Sequence, residues 1–334
     1  MAPGSRVALT IGLVVLGLVA SAPAHADETD NFTCRTRVLI DALPVMDRLM
    51  SERIQEALAR ANRPGGAPCD PACLAQHLQA VVGANDRHPL TGIPHAMVAR
   101  EAGRHPDVDR CRLAFRESIY GARPYHRPWL LPFTGRIIWL ADSIRVSGRL
   151  VGLDKINHFL REGLAHWRAE RSGAGVAEIM IHELGRPDRR WRMTEYGLKG
   201  RALTGVLAYA DLAASYGGLG FWRDVLSVDR AGAFIEFETR SRRYVQRRPF
   251  TWAAYVNDAW DEAINCSAMQ PALWKDVRPA LDRLALRCPV IDCRVLSSLP
   301  EAGLYVNPAC LAAEPRTEVG QVAYRRTTAA PIVQ

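Results

Sequence analysis

Apolar residues recur at helical spacing along most of the chain. Val38, Leu39, Leu43, Met46, Leu49, Met50, Ile54 and Leu58 mark a helical stretch within residues 33 to 62, and the period resumes over 71 to 83 after the punctuating segment Asn62 to Pro71. From His88 to Pro132 prolines and glycines return every few residues, which predicts short helices joined by ordered loops. Helices are expected again over Asp154 to Glu170, Val176 to Leu184, Thr204 to Tyr216, Trp252 to Cys266 and Trp274 to Leu286, with Gly217-Gly218 closing the third of them. Polar and apolar residues alternate instead at Ser143 to Val151, around Ser147-Gly148, and at the start of Phe234 to Phe250, so two short β-hairpins are expected. The predicted fold class is mainly α. A single large helical body spans 27 to 313, with an N-terminal part to 140 and a core part from 141, and a flexible tail follows from 314 to 334.

Composition adds a compartment to this picture. The 334 residues, 48% hydrophobic and 23% charged, are those of a globular protein rather than a disordered, collagenous or membrane-embedded one. Residues 1 to 26 read as a secretory signal, with Arg6 before the apolar run Val7 to Val19 and Ala24-His25-Ala26 as the cleavage site, so a periplasmic or secreted chain beginning near Asp27 is expected. Its eight cysteines, Cys34, Cys69, Cys73, Cys111, Cys266, Cys288, Cys293 and Cys310, then read as a disulfide framework, with zinc binding by the close pairs Cys69/Cys73 and Cys288/Cys293 as the lesser reading. The formal net charge is +8, and Lys155, Lys199 and Lys275 are the lysines among 43 basic residues. In an exported chain this charge points to an anionic envelope polymer or lipid head groups as partner, not to nucleic acid. Asn31-Phe32-Thr33 matches the N-glycosylation triplet.

The candidate chemistry begins with Asp211, the lone charge between Ala202 and Trp222. A transmembrane reading of that segment fails on the central Asp and the glycines. Buried, the carboxylate needs Lys155, Lys199, a histidine or backbone donors beside it. Asp154 and His158 are four apart on one helix face, opposite Ile156, Phe159, Leu160, Leu164 and Trp167, where they suit a cleft wall or a metal; Asp154 alone reads as an N-cap. Glu178 and His182 repeat the spacing, and the two pairs together offer four ligands to a divalent metal. Glu195 opens a glycine-punctuated stretch (Gly197, Gly200, Gly205) and suits a general acid or base on a loop. Asp258, Asp261 and Asn265 read as the solvated face of a helix. Arg189 and Arg190, with Arg186 and Arg192 around Trp191, and Arg242 and Arg243, with Arg240, Arg247 and Arg248 around Tyr244, suit binding of phosphate or carboxylate groups.

Gly152-Leu153-Asp154-Lys155-Ile156-Asn157-His158-Phe159, Tyr209-Ala210-Asp211-Leu212 and Tyr255-Val256-Asn257-Asp258-Ala259-Trp260-Asp261-Glu262 together resemble a pattern of uncharacterised exported bacterial proteins. The Asp-Lys-x-x-His-Phe core is also similar, over six residues, to a short motif of VanZ-like membrane proteins. Neither resemblance implies an established activity; together they single out Asp154, Lys155, His158 and Asp211. Two functions are expected on these grounds. The first is a soluble exported protein that binds an anionic envelope component through its arginine clusters. The alternative is a periplasmic hydrolase in which Asp211, His158 and Glu195 do acid-base work, Lys155 pairs a carboxylate or stabilises an anion, and a divalent metal, if any, sits at Asp154, His158, Glu178 and His182.

Overall fold

The computed structural model describes residues 28–63, 69–82, 96–121, 140–189, 192, 194–197, 200–202, 204–228 and 233–311. In chain order the elements are β1 (Glu28–Thr29), α1 (Asn31–Cys34), α2 (Leu43–Ala61), α3 (Pro71–Val82), α4 (Met97–Ala102), β2 (Arg110–Cys111), β3 (Leu140–Ala141), β4 (Ser143–Val146), β5 (Arg149–Gly152), α5 (Leu153–Asn157), α6 (Gly163–Arg171), α7 (Val176–Leu184), β6 (Val206–Leu207), α8 (Tyr209–Leu226), β7 (Ile235–Glu238), β8 (Arg243–Gln246), β9 (Ala268–Met269), α9 (Pro271–Arg283) and α10 (Pro308–Leu311). The predicted signal segment, the tail from 314, Arg190, Trp191 and Lys199 lie outside the described residues.

Helices dominate, and the strands are at most four residues long. Both expected hairpins form, β4–β5 turning at Ser147 and Gly148, which have positive φ, and β7–β8 turning at Arg242. The sheets exceed the two expected, because β2 joins β4, β1 pairs with β3 in parallel, and β6 pairs with β9. Two-residue strands carry no readable alternation, so these pairings left no periodic trace.

In α2 the apolar period is realised in Met46, Leu49, Met50, Ile54 and Leu58, all buried. The helix starts at Leu43 rather than near 33, and Val38, counted in its apolar stripe, is 97% exposed on the preceding loop. The expected helix over Trp252 to Cys266 is instead two 3₁₀ turns, Trp252–Ala254 and Asp258–Trp260, each opened by a side chain, Thr251 or Asn257, that accepts a backbone N–H two residues on. Such local bonds compete with an α-helix. Of the polar face there, Asp258 is half-exposed and paired with Arg149, but Asp261 and Asn265 are not solvated. Asp261 is buried, accepting from Ala263 N at 2.9 Å and Asn31 Nδ2 at 3.2 Å and paired with Arg35. Asn265 is buried too, bonded to Ala259 O, Tyr305 O and Asn307 N. Asn31 itself is sealed, donating to Leu150 O at 3.1 Å, so it is no glycan acceptor in the folded chain.

The helix carrying Asp211 does not close at Gly217-Gly218; α8 runs on to Leu226. These glycines serve contact rather than termination, since a Cβ on Gly218 would lie 2.0 Å from Phe159 O and one on Gly163 would lie 2.5 Å from Gly218 backbone atoms. The crossing element is not a plain α-helix. Between α5 and α6 the residues His158–Glu162 form a π turn, and the indole of Trp222 donates to Leu160 O at 3.0 Å within it. Phe159 enters an aromatic core with Phe221, Trp252, Tyr255 and Trp260, ring centroids 4.9 to 5.5 Å from its own.

All eight cysteines are bonded, as Cys34–Cys111, Cys69–Cys73, Cys266–Cys288 and Cys293–Cys310. The zinc reading of two close pairs therefore fails: Cys288 and Cys293 are tied to different partners. Among the described residues no helix is long and apolar enough to cross a membrane.

Candidate functional site

The first turn of α5 leaves β5 at Gly152, which occupies the cap position, so Asp154 is not the N-cap. Its carboxylate is buried and accepts from Thr29 Oγ1 at 2.7 Å. The neighbouring Lys155 is fully buried, with Nζ 2.6 Å from Asp154, 2.5 Å from Asp211 and 2.5 Å from Glu262. One ammonium thus fills the centre of three carboxylates whose oxygens lie within 4.8 Å of one another. Glu28, on β1, borders the same cluster.

Burial and mutual repulsion divide the protons within it. Burial pushes Glu28 up to about 8, with Asp211 adding to the rise. Burial also raises Glu262 well above the usual carboxylate range, against the pull of Lys155. Glu28 thus holds its proton at neutral pH. Lys155 loses hydration, yet the charges of Asp154, Asp211 and Glu262 outweigh that loss and hold it well above the ordinary lysine value.

Asp211 stands in the first turn of α8, where the helix dipole favours a carboxylate. With Oδ1 on Lys155, its Oδ2 faces His158 Nε2 at 3.4 Å. His158 begins the π turn, and its Nδ1 lies 4.0 Å from Glu183 Oε1. Glu183 is itself held by Ser215 Oγ, which donates at 2.8 Å, and by His166 Nε2 at 3.1 Å. The loop after α7 returns beside that helix, with Glu195 N donating to Glu183 O and Tyr196 N to Leu184 O, both at 2.9 Å. This sets the buried Glu195 so that it, Asp211 and His158 each bring a donor atom within 4.8 Å of the others. His158 is the side chain through which the group meets solvent, at 18% exposure.

Asp154, Lys155, His158, Glu195 and Asp211 therefore converge. Glu178 and His182 do not, because α7 exposes both and turns Ile179, Met180 and Glu183 inward. The four-ligand set of Asp154, His158, Glu178 and His182 is overturned: helices pack by their apolar faces, and both residues lie opposite that face. Glu183 left a readable signal, an acid on the apolar stripe of a helix, and so did Glu262, the last residue of the third resemblance motif. Glu28 and His166 left none, since each reaches the cluster through tertiary packing. Arg189, Arg242 and Arg243 are exposed. Arg186 and Arg247 of the same clusters are bonded to Asp188 and to Glu236.

No protein-family profile, curated protein or solved structure matches this chain. The site's chemistry alone carries the functional reading.

Proposed function

We propose that this chain is an exported hydrolase whose reacting groups are His158, Asp211 and Glu195. The observation that carries the reading is the placement of an imidazole and two carboxylates, brought from three separate segments to within 4.8 Å, at the solvent-reaching end of a sealed charge cluster. A core tie between helices needs one acid and one base; it does not need a second carboxylate or a histidine at the mouth. Water entering beside His158 meets groups that accept its proton as it attacks an electrophilic carbon or phosphorus, and the same groups return that proton to the leaving group. Lys155 touches Asp211 from beneath and positions it. Export is supported by the signal-like segment and the four disulfides.

The test is turnover of chromogenic ester, phosphate, glycoside and peptide substrates, and of purified envelope polymers, by the wild type, His158→Ala and His182→Ala. Turnover in the wild type, lowered about 10²- to 10⁴-fold by His158→Ala and unchanged by His182→Ala, supports the hydrolase. Equal turnover by the wild type and His158→Ala contradicts it.

A second reading, binding of an anionic envelope component, draws on Arg242 and Arg243 at the exposed β7–β8 turn, neither of them ion-paired among the described residues. On this reading such binding weakens with salt and with Ala at Arg189, Arg242 and Arg243, whereas binding that all three substitutions leave unchanged excludes it.

A further inference from the structure

We propose that His158, Asp211 and Glu195 seat one divalent transition-metal ion of the zinc class. The inference deepens the hydrolase reading and rests on it for the use of the ion, while the seat itself stands on geometry. His158 is placed between two carboxylates, Asp211 at Nε2 and Glu183 at Nδ1. A neutral imidazole has one N–H and one lone pair, and with the proton on Nδ1 the Nε2 lone pair is available to a cation shared with Asp211 Oδ2.

The spacing suits such an ion. Nε2 and Oδ2 stand 3.4 Å apart, a long N–H···O contact. Ligands about 2.0–2.1 Å from a tetrahedral centre are about 3.3–3.4 Å from each other. Glu195 brings a carboxylate oxygen to the same point, within 4.8 Å of both. This makes a one-histidine, two-carboxylate set, which leaves a fourth position for water or substrate.

The second ring nitrogen of His158 lies 4.0 Å from Oε1 of Glu183, a carboxylate fixed by Ser215 and His166 on the side where metal-bound histidines take an outer partner. The competing groupings are closed. Lys155 occupies the space among Asp154, Asp211 and Glu262, and Cys69 and Cys73, beside His77, are bonded to each other. Held at His158, the ion lowers the pKa of its bound water; the water's proton passes to a carboxylate oxygen as its hydroxide adds to the substrate, and the same carboxyl returns that proton to the leaving group as the bond to it breaks.

The test uses the full chain dialysed against a chelator and titrated with Zn2+ and, separately, with Co2+, whose visible ligand-field band reports tetrahedral N/O coordination. One ion per chain is expected, with affinity lowered about 10- to 100-fold or more in His158→Ala and in Glu195→Gln, and unchanged in His182→Ala and His77→Ala. Near-UV circular dichroism of each variant guards against loss of fold, and His158→Ala alters a partly exposed residue. Absence of binding by the wild type, or equal affinity in His158→Ala, overturns the seat. Hydrolysis that persists in the chelator-treated, metal-free chain removes the ion and leaves the hydrolase; one ion bound without turnover of any substrate supports the seat and removes the hydrolase.

Discussion

Glu28 shows most directly what the buried cluster does to a single residue. Its pKa is raised from 4.5 to about 8 because burial penalises the carboxylate and Asp211 lies nearby. The folded chain therefore binds a proton that the unfolded chain has lost over that whole interval. Stability conferred this way is full below about pH 4.5 and is lost as pH rises through 8. We expect unfolding free energy to fall by on the order of 3 kcal/mol between pH 5 and 8, and Glu28→Gln, which mimics the protonated acid, to flatten part of that slope. Denaturant titrations of both proteins at the two pH values measure it; parallel slopes would show that Glu28 does not hold the proton. Asp211 was legible at this scale, as a charge alone in an apolar run, and its partner Lys155 was among the few lysines. Their joining with Glu262 was not, because residues 155, 211 and 262 meet only through the packing of α5, α8 and the turn that follows the Asp258–Trp260 segment.

At the scale of elements, the π turn explains where sequence periodicity stopped being a guide. A wheel of 100° per residue places Asp154 and His158 opposite the aliphatic stripe, and the structure keeps both at a polar centre. From His158 to Glu162 the winding widens, so positions beyond it are displaced from the α-helical phase. The chain beyond then meets α8 at Gly163 and Gly218, backbone against backbone. Gly217-Gly218 reads in sequence as a stop, and only the crossing partner reveals it as a contact. In an exposed helix interior Gly→Ala is stabilising by about 1 kcal/mol. At Gly218 the added methyl meets a backbone oxygen that cannot turn aside, so Gly218→Ala is expected to lower thermal stability and, by moving His158 against Asp211, to lower turnover. At Gly220, where an added Cβ meets nothing, Ala is expected to be neutral or stabilising. Equal melting temperatures for the two variants would contradict the close crossing.

For the whole molecule, the segment that follows the predicted cleavage point is not a loose end. Glu28, Thr29, Asp30 and Asn31 are buried, and they bond to Asp154, to Ile119 and to Asp261. Cys34–Cys111 anchors this segment across 77 residues, whereas Cys69–Cys73 spans four. In the chain-entropy account a loop of the first size contributes about 4 kcal/mol and the short one much less. Replacing Cys34 and Cys111 by Ala is expected to lower the denaturation midpoint strongly, and replacing Cys69 and Cys73 only slightly; comparable losses would show that loop length does not govern them. The even cysteine count made a disulfide framework legible, but the pairing needed the fold, since Cys288 and Cys293 are near in sequence and part in space.

Whether His158, Asp211 and Glu195 act as one chemical centre is decided by turnover in His158→Ala, Asp211→Asn and their double variant, because groups that act together lose their contribution together. A double variant no slower than the worse single one is expected. Losses that multiply in the double variant would mean that the two residues work independently, and the centre described here would not exist.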